Sequence, residues 1–566
     1  MSYQWQKGGG DIAGATSASY TTAPSTAADN GSQFRVVVSG SGKSVNSNSA
    51  SLTVNSNDVV TYHNDNARTG QNLNETTLTP ANVNSAHFGK IGFDAVDGKV
   101  DGEPLYLGSV TLSNQEVHNV LYVATEHDSL YAFDADSGAQ LWKVGLLPTG
   151  ETTSDSRNCP VSNPEIGVNS TPVIDRARGA IYLVAASKNG TQYFHRLHAI
   201  DIASGAELFD GPKEVQATYP GNGPYSSGGM LVFDASEYME RAALLLLDGV
   251  VYTTWASHCD DDPYTGWIIG YDAATLAQSS VLNMEPNGRR GAVWMSGAGP
   301  AADNSGNIYV LDANGDFDPN LDSQGFPSKR NFGNAFLKIS TAGGMTVADY
   351  FEMFSEQTEN DQDVDLGSGG ALVLPDLTDD AGKVWHLAVG GGKDGNMYVV
   401  DRDAMGKFTP NGDKIYQEVP TVLSNGVWGM PSYFNNTVYY GPMQNTIRAF
   451  PIVKAKLSTS PASQTASIYG YPGATPSISA NGSKAAILWA QESVPNQCTG
   501  TSCPAVDSVL HAYDATNLAK ELYNSSQAGS RDLPGTASKF IPPMITNGKV
   551  YVATTSGVAV FGLMPK

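Results

Sequence analysis

Three acidic stretches and one histidine pair carry the side chains whose type and spacing suggest chemistry. Asp312-Ala313-Asn314-Gly315-Asp316 and Asp361-x-Asp363-x-Asp365, the latter followed by Gly367, set oxygen donors at alternate positions, a spacing suited to a hard cation. The second lacks the distal bidentate glutamate of an EF-hand. Asp260-Asp261-Asp262 puts three acids side by side, and all three stretches have a plainer reading as solvated turns. His195-x-x-His198 reads as two neighbours on a strand pair. The sequence contains no Gly-x-Ser-x-Gly elbow, no phosphate loop and no Cys-x-x-Cys-His, so serine-hydrolase chemistry, nucleotide binding and covalently attached haem c are not expected.

These residues must be held by strands. The 566 residues include 60 Gly and 30 Pro and only 16% charged residues, a turn-rich and strand-rich mixture. A formal charge of −23 argues against nucleic acid and anionic membrane as partners. Together with the absence of an apolar run of membrane-spanning length it points to an extracellular or periplasmic protein whose export signal is absent from this chain. Of the four cysteines, Cys498 and Cys503 bracket a short loop and suit a local disulfide, which leaves Cys159 and Cys259 as a second pair.

The stretch 121–143, LYVATEHDSLYAFDADSGAQLWK, reads as three short antiparallel strands with a turn at 135–138. Variants recur to the end of the chain. Eight units open at 102–104, 170–172, 241–243, 298–300, 369–371, 429–431, 474–476 and 541–543, and most end in a Tyr/Ala-Asp-Ala type turn such as Gly270-Tyr271-Asp272-Ala273. Units of this kind cannot close singly, so they predict an all-β, eight-bladed propeller over residues 56–566. The last unit lacks an outer strand, which Val59 to His63 is expected to supply. Residues 1–55 read as a truncated immunoglobulin-like β-sandwich fragment, with Trp5 on a core strand, Asp29-x-Gly31 at a corner, a strand around Phe34 and a last strand ending at Val54.

The repeats resemble the pyrroloquinoline quinone repeat family, the quinoprotein alcohol dehydrogenase-like propellers, over about residues 59–563, and Arg68, Pro80, Asn82 and Val83 sit in a family-like opening. The resemblance implies a quinone stacked on Trp294, at the end of Gly291-Ala292-Val293-Trp294, and a cation from Lys393 on the quinone oxygens. It implies further cofactor contacts from Asp101 and Trp428, and calcium held by Asp261 and Asn314. It places the catalytic base at Asn334, an amide that cannot remove a hydroxyl proton, leaving Asp316 and Asp318 as nearby substitutes. The family's vicinal cysteine pair is absent, and Glu165 stands in the region of a family arginine.

These departures favour a secreted or cell-surface module, read as a monomer, that binds a small molecule or glycan and keeps a degenerate quinone site. The alternatives are an oxidoreductase dependent on pyrroloquinoline quinone and calcium, acting on alcohols or sugars, and a polysaccharide-active enzyme with carboxylates in the central funnel. Fold alone does not choose among them.

Overall fold

The computed structural model describes residues 1–22, 32–52, 57–157, 159, 164–494 and 506–565, and the chain divides into units at 1–57 and 58–566. The first unit is one antiparallel sheet in the order Gly10–Asp11, Ser2–Lys7, Gln33–Gly40, Lys43–Asn46, with Ala50–Ser51 also on the third strand. Trp5 and Phe34 each approach Tyr20, with ring centroids 6.0 and 6.3 Å away. No second sheet is present among its described residues, and the expected corner at Asp29 and Gly31 and strand end at Val54 lie outside them.

The second unit is an eight-bladed β-propeller. Its blades are antiparallel sheets at 105–145, 152–214, 238–283, 301–351, 372–419, 432–464, 477–524 and 544–563. Each innermost strand begins within two residues of one of the eight opening tripeptides; Leu105, Val173, Leu245 and Leu372 show the pattern. Alternate side chains of these strands pack between sheets, and blades 1 and 8 share one buried cluster that includes Leu105, Leu130, Met544 and Tyr551, which closes the ring.

The repeated aspartate has a local task. Asp134 Oδ1 accepts the backbone N–H groups of Asp136 and Ser137, and Asp201, Asp272 and Asp514 do the same two residues on. An aspartate that caps its own turn fixes the link between third and fourth strands in these repeats.

The outer strand of blade 8 is Phe88–Ala95, paired antiparallel to Gly557–Leu563, and not the expected Val59 to His63. Phe88 anchors it among Trp489, Tyr523 and Phe561. Residues 59–72 run instead through the centre of the ring. There they hydrogen-bond to the innermost strand of every blade in turn: Val59 to Tyr106, Val60 to Ile174, Asn66 to Leu246 and Ala302, Ala67 to Val373, Thr69 to Tyr433, Gly70 to Ile478, and Asn72 to Ile545. Arg68, fully buried, donates to Thr61 Oγ1 at 2.7 Å and to the carbonyls of Tyr62, Pro300 and Leu244 at 2.8, 2.9 and 3.3 Å. The lead-in thus seals one end of the axis.

Candidate functional site

At the other end lies a cavity of about 470 Å³, inside the size range of small-molecule sites. The loops that line it are of two kinds, those joining second to third strands within a blade and those crossing from one blade to the next. Trp294 lies on the crossover from blade 3 to 4, Asp363 and Asp365 on that from 4 to 5, and Trp428 on that from 5 to 6. Asp260, Asn314 and Lys393 come from the inner loops of blades 3, 4 and 5.

Close backbone contacts fix these loops. Gly291 N–H donates to the Asn314 carbonyl at 2.7 Å, Ala313 N–H to Ala292 at 3.0 Å, and Asp312 Oδ1 takes the Ala292 N–H at 2.8 Å. Gly291 has φ +77°, and a Cβ there would stand 2.0 Å from the Glu285 carboxylate. Glycine is therefore required three residues before Trp294. Burial raises the carboxyl groups of Glu285 and Asp312, which share this buried position.

The polar wall is a connected set. Asn314 Nδ2 donates to Asp363 Oδ1 at 2.6 Å, and Lys393 Nζ reaches the same oxygen at 2.8 Å while also pairing with Asp365. Burial works against the Lys393 charge, yet Asp365 and Asp363 hold its ammonium protonated well above the usual lysine range. Burial raises the Asp365 carboxyl, and Lys393 offsets part of that rise. Asn314 is 6% exposed, and its Oδ1 has no hydrogen-bond partner. The lining also has apolar surfaces: Trp294, packed against Phe540 at 5.5 Å, Trp428 against Tyr471 at 5.7 Å, and the Cys159–Cys259 disulfide.

Trp294, Asn314, Lys393 and Trp428 are thus brought together. Asp261 is exposed and outside the lining; Asp260 stands in its place, its Oδ1 accepting the Tyr264 hydroxyl at 2.9 Å. Positive φ angles at Cys259 and Asp260, 52° and 60°, turn the chain so that only the first of the three acids lines the cavity. Asn334 is also outside. It is fully buried and ties two loops, donating from its backbone to Ala313 at 2.9 Å and accepting the Leu366 N–H on Oδ1 at 2.7 Å. Asp316 holds the Arg289 N–H, and Asp318 holds Ser328 and Lys329; neither reaches the cavity. Asp101 is buried, bound to Lys99 at 2.6 Å and Ser538 at 2.5 Å, and is not in the lining. Glu165 is paired with His127 at 3.1 Å. Of the histidine pair, His195 bonds the Tyr238 carbonyl and His198 bonds Glu207, so each is separately engaged. The Cys159–Cys259 bond is formed, whereas Cys498 and Cys503 lie outside the described residues.

The residues missed by sequence reasoning are Asp363 and Asp365. Their alternate spacing marked them as oxygen donors, but nothing local showed that the crossover carries them to Lys393.

No protein-family model and no curated protein matches this sequence. Solved structures do match. The quinohemoprotein alcohol dehydrogenase ADHIIG from Pseudomonas putida HK5 is 14% identical with a TM-score of 0.57, covering 90% of this chain and 81% of that one. The quinohemoprotein alcohol dehydrogenase from Comamonas testosteroni is 15% identical, also at 0.57, covering 91% and 82%. The chain has the fold of these propellers. At such identity the likeness is one of fold, and the chemistry rests on the cavity itself.

Proposed function

We propose that the axial cavity binds a quinone together with a hard divalent cation, and that the protein is an oxidoreductase acting on an alcohol or sugar hydroxyl. The observation that carries this reading is the meeting of Trp294, Asn314, Asp363, Asp365 and Lys393 in one cavity. The lining sets the carboxylates of Asp260, Asp363 and Asp365 against the single ammonium of Lys393, a charge excess suited to a divalent ion. Asn314 Oδ1, buried and unpartnered, is the donor such an ion would satisfy. Asn314 and Asp260 would hold the cation, Trp294 offers a face for a flat ring, and Lys393 offers positive charge to its oxygens. Lys539 sits over the Tyr471 ring, and burial together with Lys99 lowers its pKa; an anionic ligand would relieve that crowding.

When bound, a quinone supplies the two-electron acceptor. The chain's own part is to orient the hydroxyl and take its proton, and Asp363, in the cavity beside Lys393, is the residue we assign to that step. Of the departures that favour a degenerate binding module, the amide at Asn334 belongs to a residue that serves a structural tie outside the cavity. We place the protein in an oxidising compartment on the strength of the Cys159–Cys259 bond. No helix among the described residues is long and apolar enough to cross a membrane.

The test is reconstitution with pyrroloquinoline quinone and Ca²⁺, followed by dye reduction with a panel of alcohols and sugars. Retained quinone absorbance after desalting and substrate-dependent reduction are expected. Loss of all absorbance on desalting removes the reading.

A further inference from the structure

Two arginines are buried inside the propeller, and the fold satisfies only one of them. Arg68 spends its donors on Thr61, Tyr62, Leu244 and Pro300. Arg241, just before the innermost strand of blade 3, is 5% exposed and makes one hydrogen bond, from Nη1 to the Asn169 carbonyl at 3.2 Å. Its Nη2 is buried without a partner, and no carboxylate among the described residues stands at ion-pairing distance from it. The backbone makes room for this side chain: a Cβ on Gly297, at φ +90°, would stand 2.2 Å from Arg241 Nη1. Ser170, one peptide bond beyond the Asn169 carbonyl, is fully buried and its hydroxyl is also unpartnered.

The surrounding acids do not supply the missing charge. Glu240, the preceding residue, has no hydrogen-bond partner on either oxygen, and burial pushes its carboxyl up to about 8. Glu103, which like Arg241 acts on Tyr62, accepts the His63 N–H, and burial pushes it up to about 8 as well. Both glutamates therefore keep their protons at neutral pH. Asp101 is already engaged by Lys99 and Ser538. A guanidinium stays charged, and a buried charge without a counter-charge is costly.

We propose that Arg241 Nη2 holds a small monovalent anion of the chloride class, with the Ser170 hydroxyl as a second donor. One guanidinium provides one positive charge, which matches a singly charged ion. The close approach of Asn169 and Gly297 to the same guanidinium leaves no place for a bulky one. The site is separate from the axial cavity, whose lining includes neither residue. Asn169, Arg241 and Gly297 stand just before the innermost strands of blades 2, 3 and 4. The ion therefore ties three blade entries together, the last of them three residues beyond Trp294.

The experiment is thermal unfolding of the whole chain at neutral pH and constant ionic strength, with chloride exchanged for isethionate, an anion too bulky for an enclosed site. Chloride is expected to raise the melting temperature saturably, by about 2 °C or more over a hundredfold range. R241Q should abolish the dependence, and E240Q, which cannot ionise, should keep it. A wild-type melting temperature indifferent to chloride, or a dependence that survives in R241Q, overturns the proposal. Chloride dependence that appears only in E240Q marks Glu240 as the native counter-charge and overturns it too. Should R241Q fail to fold, wild-type crystals grown in bromide decide: an anomalous peak at hydrogen-bond distance from Arg241 Nη2 is expected, and a water or no density there refutes the site. None of these outcomes depends on whether the axial cavity holds a quinone.

Discussion

The two ends of the propeller axis are built from the same repeats and used in opposite ways. At one end the lead-in 59–72 satisfies inner-strand groups of all eight blades, and Arg68 is enclosed with hydrogen bonds to Thr61, Tyr62 and Pro300. At the other, crossover loops leave a cavity with an unpartnered amide oxygen and an excess of carboxylate. The closed end carries saturated polar groups, which stabilise and specify. The open end keeps polar groups unsatisfied, which is what a binding site requires.

Substitutions at the two ends should therefore separate activity from stability. D363N, at the open end, is expected to lower turnover of the reconstituted protein by about 100-fold or more while leaving the melting temperature nearly unchanged, as measured by dye reduction and calorimetry. R68A, at the closed end, should cost about 3–5 kcal/mol of stability in denaturant unfolding, because it strands several buried acceptors. An R68A protein as stable as wild type would end the contrast. Cys259→Ser should lose about 2–4 kcal/mol, since the bond it breaks closes a loop of separation 100. W294A should weaken quinone retention by about tenfold, read as absorbance after desalting, with little effect on unfolding.

The smallest effect concerns pH. Burial pushes His195 down to about 4, with a nearby His258 acting in the same direction. The unfolded imidazole takes up its proton near its ordinary value while the folded one stays neutral until about pH 4. Stability is thus full above the ordinary histidine range and falls as the pH drops toward 4. H195Q should flatten that slope in unfolding titrations across the window.

How much was legible depends on whether a signal was local. The self-capping aspartates at 134, 201, 272 and 514 and the eight opening tripeptides are complete within a few residues, and they gave the blade number directly. Trp294, Asn314 and Lys393 were legible through family-like motifs. Asp363 was legible as an oxygen donor and not as a cavity residue, because its neighbours there, Asn314 and Lys393, lie 49 and 30 positions away. Asp260 and Asp261 could not be told apart without the backbone turn between Cys259 and the first acid. The closing strand was misplaced because Val59 and Val60 look like strand residues wherever they go. Phe88–Ala95 declares itself only once Trp489, Tyr523 and Phe561 are near.

The path of residues 59–95 also bears on the order of assembly. The propeller's first-synthesised segment supplies both the central contacts of every blade and the partner of the final strand. Blades emerging from the ribosome therefore find their common core already made, and the ring cannot be completed until the carboxyl-terminal strands return to it. Deleting residues 59–95 should leave blade 8 without its outer strand and the inner strands of all eight blades without their central hydrogen bonds, a form prone to aggregate, whereas a break in the chain between two blades leaves the core and the final strand's partner in place.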